Sequence, residues 1–241
     1  MSARLPVLII VLALPCVSFG LDFGDLPQVP QDFLQGIKEE GKPEGLLTIL
    51  AAGAAAGAAT SGDAHLHDNF QRNTPLGKRA TDTGALMGNG ALLFPLAGAA
   101  YFAGACARSE SSREFGLMGF EALAISGVET LALKYAVQRK RPDGSPYSFP
   151  SGHASASFSL ATVAAWQYGW EAGVPAYFAA GFVGYTRMES QKHYLSDVLF
   201  GAGLGIAAGR AVYKSHRRMH PGRFTFVPYF WPGGGGVALI Y

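Results

Sequence analysis

Long apolar runs constrain the fold of this chain more than any other feature. Residues 84–107 contain no Asp, Glu, Lys or Arg, and a helix that crosses a bilayer needs about 20 predominantly apolar residues. Further apolar stretches lie at residues 46–60, 117–136, 154–170, 174–186 and 195–211. Their apolar residues do not alternate with the period of two that strands show. We therefore predict an all-α fold, a compact bundle of about six helices embedded in a membrane or associated with one.

Glycine recurs at every fourth position in two of these stretches. Gly201, Gly205 and Gly209 make one stripe, and Gly53 and Gly57 make another. This spacing lets helix backbones approach closely, inside or outside a membrane. We expect tight packing along both stripes, with residues 46–60 forming a partial or interfacial helix.

The two ends of the chain differ from this pattern. Residues 1–20 have the form of a secretory signal peptide, with Arg4 before an apolar run and Pro15 after it; an uncleaved N-terminal anchor is the alternative. Cleavage leaves Cys106 as the only cysteine, so no internal disulfide is expected. Residues 21–45 are predicted to be a peripheral segment with a short amphipathic helix at 32–40.

The remaining chain is divided into a core and a tail. Residues 46–213 are predicted to be the helical core, and residues 214–241 a basic segment and C-terminal tail. Within that tail, residues 224–241 predict a short β-hairpin with a turn at the glycine run 233–236. The net charge of +2 gives no indication of a nucleic-acid partner.

Three polar clusters interrupt the apolar sequence between residues 134 and 197. The first contains Lys134 and Arg141, seven residues apart and followed by Pro142. On one helix ending at this proline, the two cations would share a face. Both could bind a phosphate, the Lys134 ammonium as a point charge and the Arg141 guanidinium as a planar group with paired donors. Taken alone, a solvated basic helix end explains the cluster equally well.

The second cluster is Pro150, Ser151, Gly152 and His153. Ser151 is a helix-capping residue, and Gly152 lets a ligand approach the backbone, so the free N–H groups form an anion site. His153 in the first turn would reach a leaving group. An ordinary capped helix is the structural alternative.

The third cluster contains Arg187, His193 and Asp197. His193 and Asp197 are four residues apart and share a helix face. A carboxylate that accepts from one imidazole nitrogen leaves the other nitrogen free as a nucleophile. A structural His–Asp pair is the alternative, and it is less common when the other two clusters precede it.

The three clusters together resemble the signature of the type 2 phosphatidic acid phosphatase superfamily. That signature is Lys, six residues, Arg-Pro; then Pro-Ser-Gly-His; then Ser-Arg, five residues, His, three residues, Asp. The chain matches it from Lys134 to Asp197, except that Thr186 stands where serine is usual.

The resemblance implies hydrolysis of a phosphate ester through a phosphohistidine, with no metal ion or other cofactor. The implied catalytic residues are His193 as nucleophile, His153 as acid and base, and Asp197 as the partner of His193. The residues implied to bind the phosphate are Lys134, Arg141, Ser151, Gly152 and Arg187.

Four functions remain open at this point. The leading hypothesis is a lipid phosphatase whose partners are a phosphorylated lipid and the membrane, located in the membrane or at its periplasmic face after export. A soluble periplasmic acid phosphatase of broad specificity is the alternative, and a vanadate-dependent haloperoxidase ranks below it. A catalytically idle membrane scaffold is disfavoured, because every expected catalytic group is present.

Other histidines are not assigned to a site. His65 and His67 have a spacing that suits a strand, and a metal site there is not favoured. His216 and His220 follow the last apolar stretch in basic sequence and are predicted to be surface residues.

Overall fold

The protein is described by a computed structural model covering residues 28–220, 225–231 and 234–240, and the predicted signal peptide lies outside this part of the chain. Residues 28–220 form an all-helical unit, as predicted. Its helices are α1 (Val29–Glu40), α2 (Pro43–Arg72), α3 (Gly77–Met87), α4 (Gly90–Ala107), α5 (Glu110–Val137), α6 (Gly152–Tyr168), α7 (Trp170–Glu189) and α8 (Leu195–Met219). Two antiparallel strands follow, β1 (Thr225–Trp231) and β2 (Gly234–Ile240).

The predicted count of six helices is wrong, because residues 28–220 contain eight. Each of the six apolar stretches contributes a helix, and α1 confirms the short helix predicted at 32–40. The additional helix is α3, since the uncharged run at 84–107 is divided at Gly88. Asn89 then caps α4, with its side-chain oxygen accepting from the N–H of Ala91 at 2.9 Å. The helix predicted at 46–60 is also longer than expected, with 30 residues in α2.

Helix α8 lies at the centre of the bundle and packs against α1, α2, α5 and α6. Small residues line most of its length, so its neighbours approach its backbone closely. A core cluster forms where α8 meets α5 and α6, from Met118, Ala122, Ile125, Val163, Ala208 and Val212. Burial of these side chains supplies the apolar part of the stability.

The glycine stripe of α8 is the contact surface for α6. A Cβ atom added to Gly201, Gly205 or Gly209 would lie 2.5, 2.3 or 2.7 Å from a backbone carbonyl oxygen of the α6 segment. Real Cβ atoms do not approach an oxygen this closely, so close packing along this stripe is confirmed. The second stripe behaves differently: nothing lies within 4 Å of the Cβ position of Gly57.

We expect Gly205→Ala to destabilise the protein by about 1–3 kcal/mol, because the added methyl group pushes α8 away from α6. Thermal or denaturant unfolding in detergent measures the change. Gly57→Ala is the matched control and should leave stability unchanged or raise it slightly, since alanine is the better helix former. Equal midpoints for the two variants would contradict the packing described here.

The exterior of the bundle is apolar. Leu50 on α2 and Phe178 on α7 are 67% and 76% exposed. Helix α1 buries Asp32, Glu39 and Glu40 against the bundle, while Leu34 and Ile37 are exposed. By length and composition, α2, α4, α5 and α8 could each cross a membrane. Such an exterior suits contact with lipid better than contact with water.

The bundle has two ends, which we call the motif end and the opposite end. The motif end carries the last turn of α5, the start of α6, the last turn of α7 and the start of α8. The opposite end carries α1, the starts of α2 and α5, and the last turns of α8, joined by contacts such as Arg218 to Glu39 at 2.6 Å and Lys214 to Glu44 at 3.6 Å.

Candidate active site

The structure brings all three polar clusters to the motif end. Consecutive helices run in opposite directions, so α5 and α7 end where α6 and α8 begin. The sequence-predicted residues therefore lie on four neighbouring segments: Lys134, Arg141, Ser151, Gly152, His153, Arg187, His193 and Asp197.

The geometry of the first cluster differs from the prediction. Helix α5 ends at Val137, because Gln138 adopts a left-handed conformation with φ of 51°. Arg141 therefore lies in the following loop and does not share a helix face with Lys134. The Lys134 ammonium donates to the carbonyl of Tyr147 at 2.7 Å, which anchors this loop to α5.

The second cluster forms the start of α6. Ser151 is fully buried and caps the helix, with its hydroxyl accepting from the N–H of Ala154 at 3.4 Å. Its own N–H donates to the backbone carbonyl of Asp197 at 3.0 Å. This bond joins the Pro-Ser-Gly-His segment directly to the first turn of α8. Gly152 begins the helix, where free N–H groups favour an anion.

His153 points towards α3. Its Nε2 atom donates to the carbonyl of Ala85 at 3.1 Å, and Gly88 packs against its ring. Because a carbonyl only accepts, this contact places the ring proton on Nε2. Helix α3 thus covers His153 and holds a proton-bearing nitrogen at the site.

His193 and Asp197 are both buried, and the His193 Nδ1 atom lies 3.6 Å from the Asp197 Oδ2 atom. This distance is slightly longer than a direct hydrogen bond. Asp197 is held in place by other donors: the Ser148 hydroxyl at 2.5 Å and the N–H of Tyr194 at 2.9 Å, both to Oδ2. The carboxylate therefore faces the ring of His193 in a fixed position.

The guanidinium groups of Arg141 and Arg187 retain free donors. Arg187 is buried and donates one bond, to the Ser190 hydroxyl at 2.8 Å. The Nε atoms of both arginines are buried and have no hydrogen-bond partner within the described residues. Buried donors normally have partners, so these two atoms suit an anionic ligand.

Electrostatic effects show that the clusters influence one another. Burial lowers the pKa of His193 below its ordinary value of 6.5; Asp197 opposes this shift, while the charges of Lys134 and Arg141 add to it. Burial likewise lowers the pKa of His153 to about 4, with further lowering by Arg187, His193 and Arg141. Burial and the nearby cations thus both favour the neutral form of the two imidazoles, in which an imidazole can act as a nucleophile or a base.

Two residues that sequence reasoning did not assign complete the site. Arg139 donates to Asp197 Oδ1 at 2.7 Å through one terminal nitrogen and to Asp63 Oδ2 at 2.9 Å through the other. Asp63, on α2, also accepts from the N–H and hydroxyl of Ser196 at 3.1 and 2.5 Å. The ring of Tyr194 stacks on the Arg139 guanidinium at 4.2 Å. We call Asp63, Arg139, Ser196 and Asp197 the carboxylate network.

The sequence contains only a weak signal for this network. Arg139 lies two residues before Arg141 in the basic cluster, and Asp63 is the first acidic residue after a long run of small side chains. A buried aspartate at the end of such a run needs a partner, but the sequence does not identify which one.

Other predictions near the site are corrected by the structure. The segment with His65 and His67 is helical and does not form a strand, because α2 continues to Arg72. The ring nitrogens of His67 face the side chains of Gln191 and Gln71. Thr186, which stands where the signature has serine, is buried, and its hydroxyl donates to the carbonyl of Val183 at 2.8 Å within its own helix.

This arrangement of cations, imidazoles and a helix N-terminus suits a phosphate ion. Residues 143–220 match the family model described as the PAP2 superfamily. This range contains the second and third clusters, and the predicted resemblance to this family is confirmed.

Curated and solved relatives agree with this assignment. Lipid A 1-phosphatase of Porphyromonas gingivalis is 39% identical over 95 residues, which are 38% of this chain and 21% of that protein, so the chain spans about a fifth of its relative. The transmembrane PAP2 type phosphatidylglycerolphosphate phosphatase from Bacillus subtilis has the same fold, with a TM-score of 0.61 and 22% identity over 79% of this chain and 99% of that one. LpxE from Aquifex aeolicus gives a TM-score of 0.54 and 25% identity over 63% of this chain and 94% of that one.

Proposed function

We propose that this protein is a membrane phosphatase that hydrolyses a lipid phosphate monoester or pyrophosphate through a phosphohistidine. The observation that carries this proposal is the 3.0 Å bond from the Ser151 N–H to the Asp197 carbonyl, which joins the capped start of α6 to the segment that carries His193. The buried Nε atoms of Arg141 and Arg187, which have no partner among the described residues, leave donors for a phosphate. The similarity to lipid A 1-phosphatase and to PAP2 membrane phosphatases supports this activity. We further propose that residues 46–213 form the catalytic unit.

In the first step, His193 acts as the nucleophile. Its Nδ1 atom faces Asp197, so Nε2 is the atom that attacks phosphorus. The bond from phosphorus to the leaving oxygen breaks, and His153 transfers its proton to that oxygen. The negative charge of a bound phosphate offsets Arg187 and Arg141, which raises the pKa of His153 and favours its protonation when substrate binds.

In the second step, water attacks the phosphohistidine. His153, now neutral, accepts a proton from this water, and the phosphorus–nitrogen bond breaks to release phosphate and neutral His193. Lys134, Arg141, Arg187 and the helix N-terminus at Gly152 bind the non-bridging oxygens and stabilise the charge that develops on them. These groups carry the positive charge that the reaction needs, so the proposed steps involve no metal ion.

An apolar groove near the site favours a lipid substrate over a soluble ester. It has a volume of about 640 Å³, lies on the outer face of α7 and is lined by Val174, Phe178, Phe182, Tyr185 and Leu76. The backbone N–H of Leu76 donates to Glu189 at 3.1 Å, two residues beyond Arg187. An acyl chain in this groove would therefore reach the last turn of α7, the turn that carries Arg187.

Phosphate release from a panel of substrates tests this proposal. The purified protein in detergent is given phosphatidate, phosphatidylglycerophosphate, a polyprenyl pyrophosphate, lipid A and the soluble ester p-nitrophenyl phosphate. We expect kcat/KM to be highest for one of the lipids. Turnover of the soluble ester alone, together with extraction of the protein from cells without detergent, would favour the periplasmic acid phosphatase. Bromide oxidation with vanadate and peroxide would favour the haloperoxidase, and no phosphate release from any substrate would reject the proposal.

A further inference from the structure

A second group of polar side chains lies at the opposite end of the bundle. Asp32 on α1 and His216 on α8 are buried, and His220 directly follows α8. The prediction that both histidines are surface residues is therefore wrong for His216, because α1 folds back over the end of α8. The Nε2 atom of His220 lies 3.6 Å from Asp32 Oδ2, and the two imidazole rings are 4.6 Å apart.

Charge around this group is predominantly negative. Glu114 Oε1 lies 3.9 Å from His216 Nε2, Glu110 and Arg113 line the same small cavity, and Glu121 is buried near Asp32. Within residues 28–220, these contacts thus set one fixed cation against four carboxyl groups, two of which are buried. A buried carboxyl group either takes up a proton or pairs with a positive charge, and such a charge could be supplied by protonated histidines or by a metal ion.

We propose that Asp32, His216 and His220 bind a divalent metal ion of the zinc class. Each offers one ligand atom, and the three atoms lie within 4.8 Å of one another. Ligands around tetrahedral zinc are about 2.0–2.2 Å from the ion, and hence about 3.4 Å from one another, so small side-chain rotations would complete the set. Imidazole nitrogen and carboxylate oxygen are ordinary zinc ligands, and Glu114 or water supplies a fourth.

The role of this ion is structural. It lies at the far end of α8 from Asp197, about 28 Å away at 1.5 Å per residue. The ligands come from α1 and the end of α8, with Glu114 from α5. A bound ion therefore fixes the N-terminal helix to the bundle and takes no part in phosphate transfer.

Zinc binding by the purified protein, with any purification tag removed, tests the proposal. After treatment with chelator and dialysis, the wild-type protein is titrated with Zn²⁺ in competition with a chromophoric chelator. We expect one equivalent to bind and to raise the melting temperature. His220→Gln and Asp32→Asn should each weaken binding by at least about tenfold and abolish the thermal shift.

His65→Gln is the matched control, because His65 is an exposed histidine on α2 outside this group. It should bind zinc like the wild type. Phosphate release by the His220→Gln protein establishes that this variant is folded, since the group lies far from the motif end. Absence of zinc binding by the wild type, or equal binding by all variants, would overturn the proposal and identify the group as a cluster of ion pairs.

Discussion

Replacing His193 with alanine is expected to abolish phosphate release, with a fall in kcat of at least about 10⁴-fold. The nucleophile is lost, and mutation of a nucleophile in other covalent mechanisms has effects of this size or larger. No phosphoenzyme should form in this variant. Rapid quenching with a ³²P-labelled substrate measures the phosphoenzyme. Stability of the label in base and its loss in acid show that the bond is between phosphorus and nitrogen.

Two other histidine variants make this result specific. His65→Ala is the matched control and should retain full turnover. His153→Ala should form the phosphoenzyme far more slowly from esters with a poor leaving group, but much less so from p-nitrophenyl phosphate, because that leaving group needs no proton in the first step. Turnover retained by His193→Ala, or a phosphoenzyme formed by that variant, would contradict the assignment of His193 as nucleophile.

The helical fold and the meeting of the three clusters are predictable from sequence for one reason. In an antiparallel bundle, every second connection between helices lies at the same end, and the clusters fall at two such connections, α5–α6 and α7–α8. The exact helix limits are less predictable. Pro142 predicts a helix that continues to Arg141, but Gln138 in a left-handed conformation ends α5 earlier. Pro142 marks the end of the helix only approximately.

The partners of Asp63 and His216 could not be predicted, because they depend on contacts between distant segments. Asp63 reaches Arg139 only through the register of α2 against α8, where a Cβ added to Gly203 would lie 2.1 Å from the Ala52 side chain. His216 is buried only because α1 packs over the end of α8. Local patterns determine that a helix forms, whereas these contacts depend on how helices align.

Disrupting the carboxylate network is expected to slow the reaction without weakening phosphate binding. In Arg139→Met, Asp197 loses its 2.7 Å bond and Asp63 loses its counter-charge. Asp197 keeps its two donors to Oδ2, but without the bond to Oδ1 it fixes the orientation of the His193 ring less well. A displacement of about 1 Å in a reacting group can cost about 100-fold, so we expect kcat to fall by about 10- to 100-fold. The inhibition constant of inorganic phosphate should stay unchanged, because Lys134, Arg141 and Arg187 remain.

Three comparisons separate this positioning role from a general loss of structure. Lys140→Met removes a neighbouring exposed cation and should leave kcat unchanged. Arg139→Lys should recover part of the activity, since it restores the charge without the planar fork. Asp63→Asn should lower kcat, and the double variant with Arg139→Met should be no slower than the slower single variant, because both act through the same contact. If instead the two effects multiply, or if phosphate inhibition weakens in parallel with kcat, then Asp63 and Arg139 do not act by positioning Asp197.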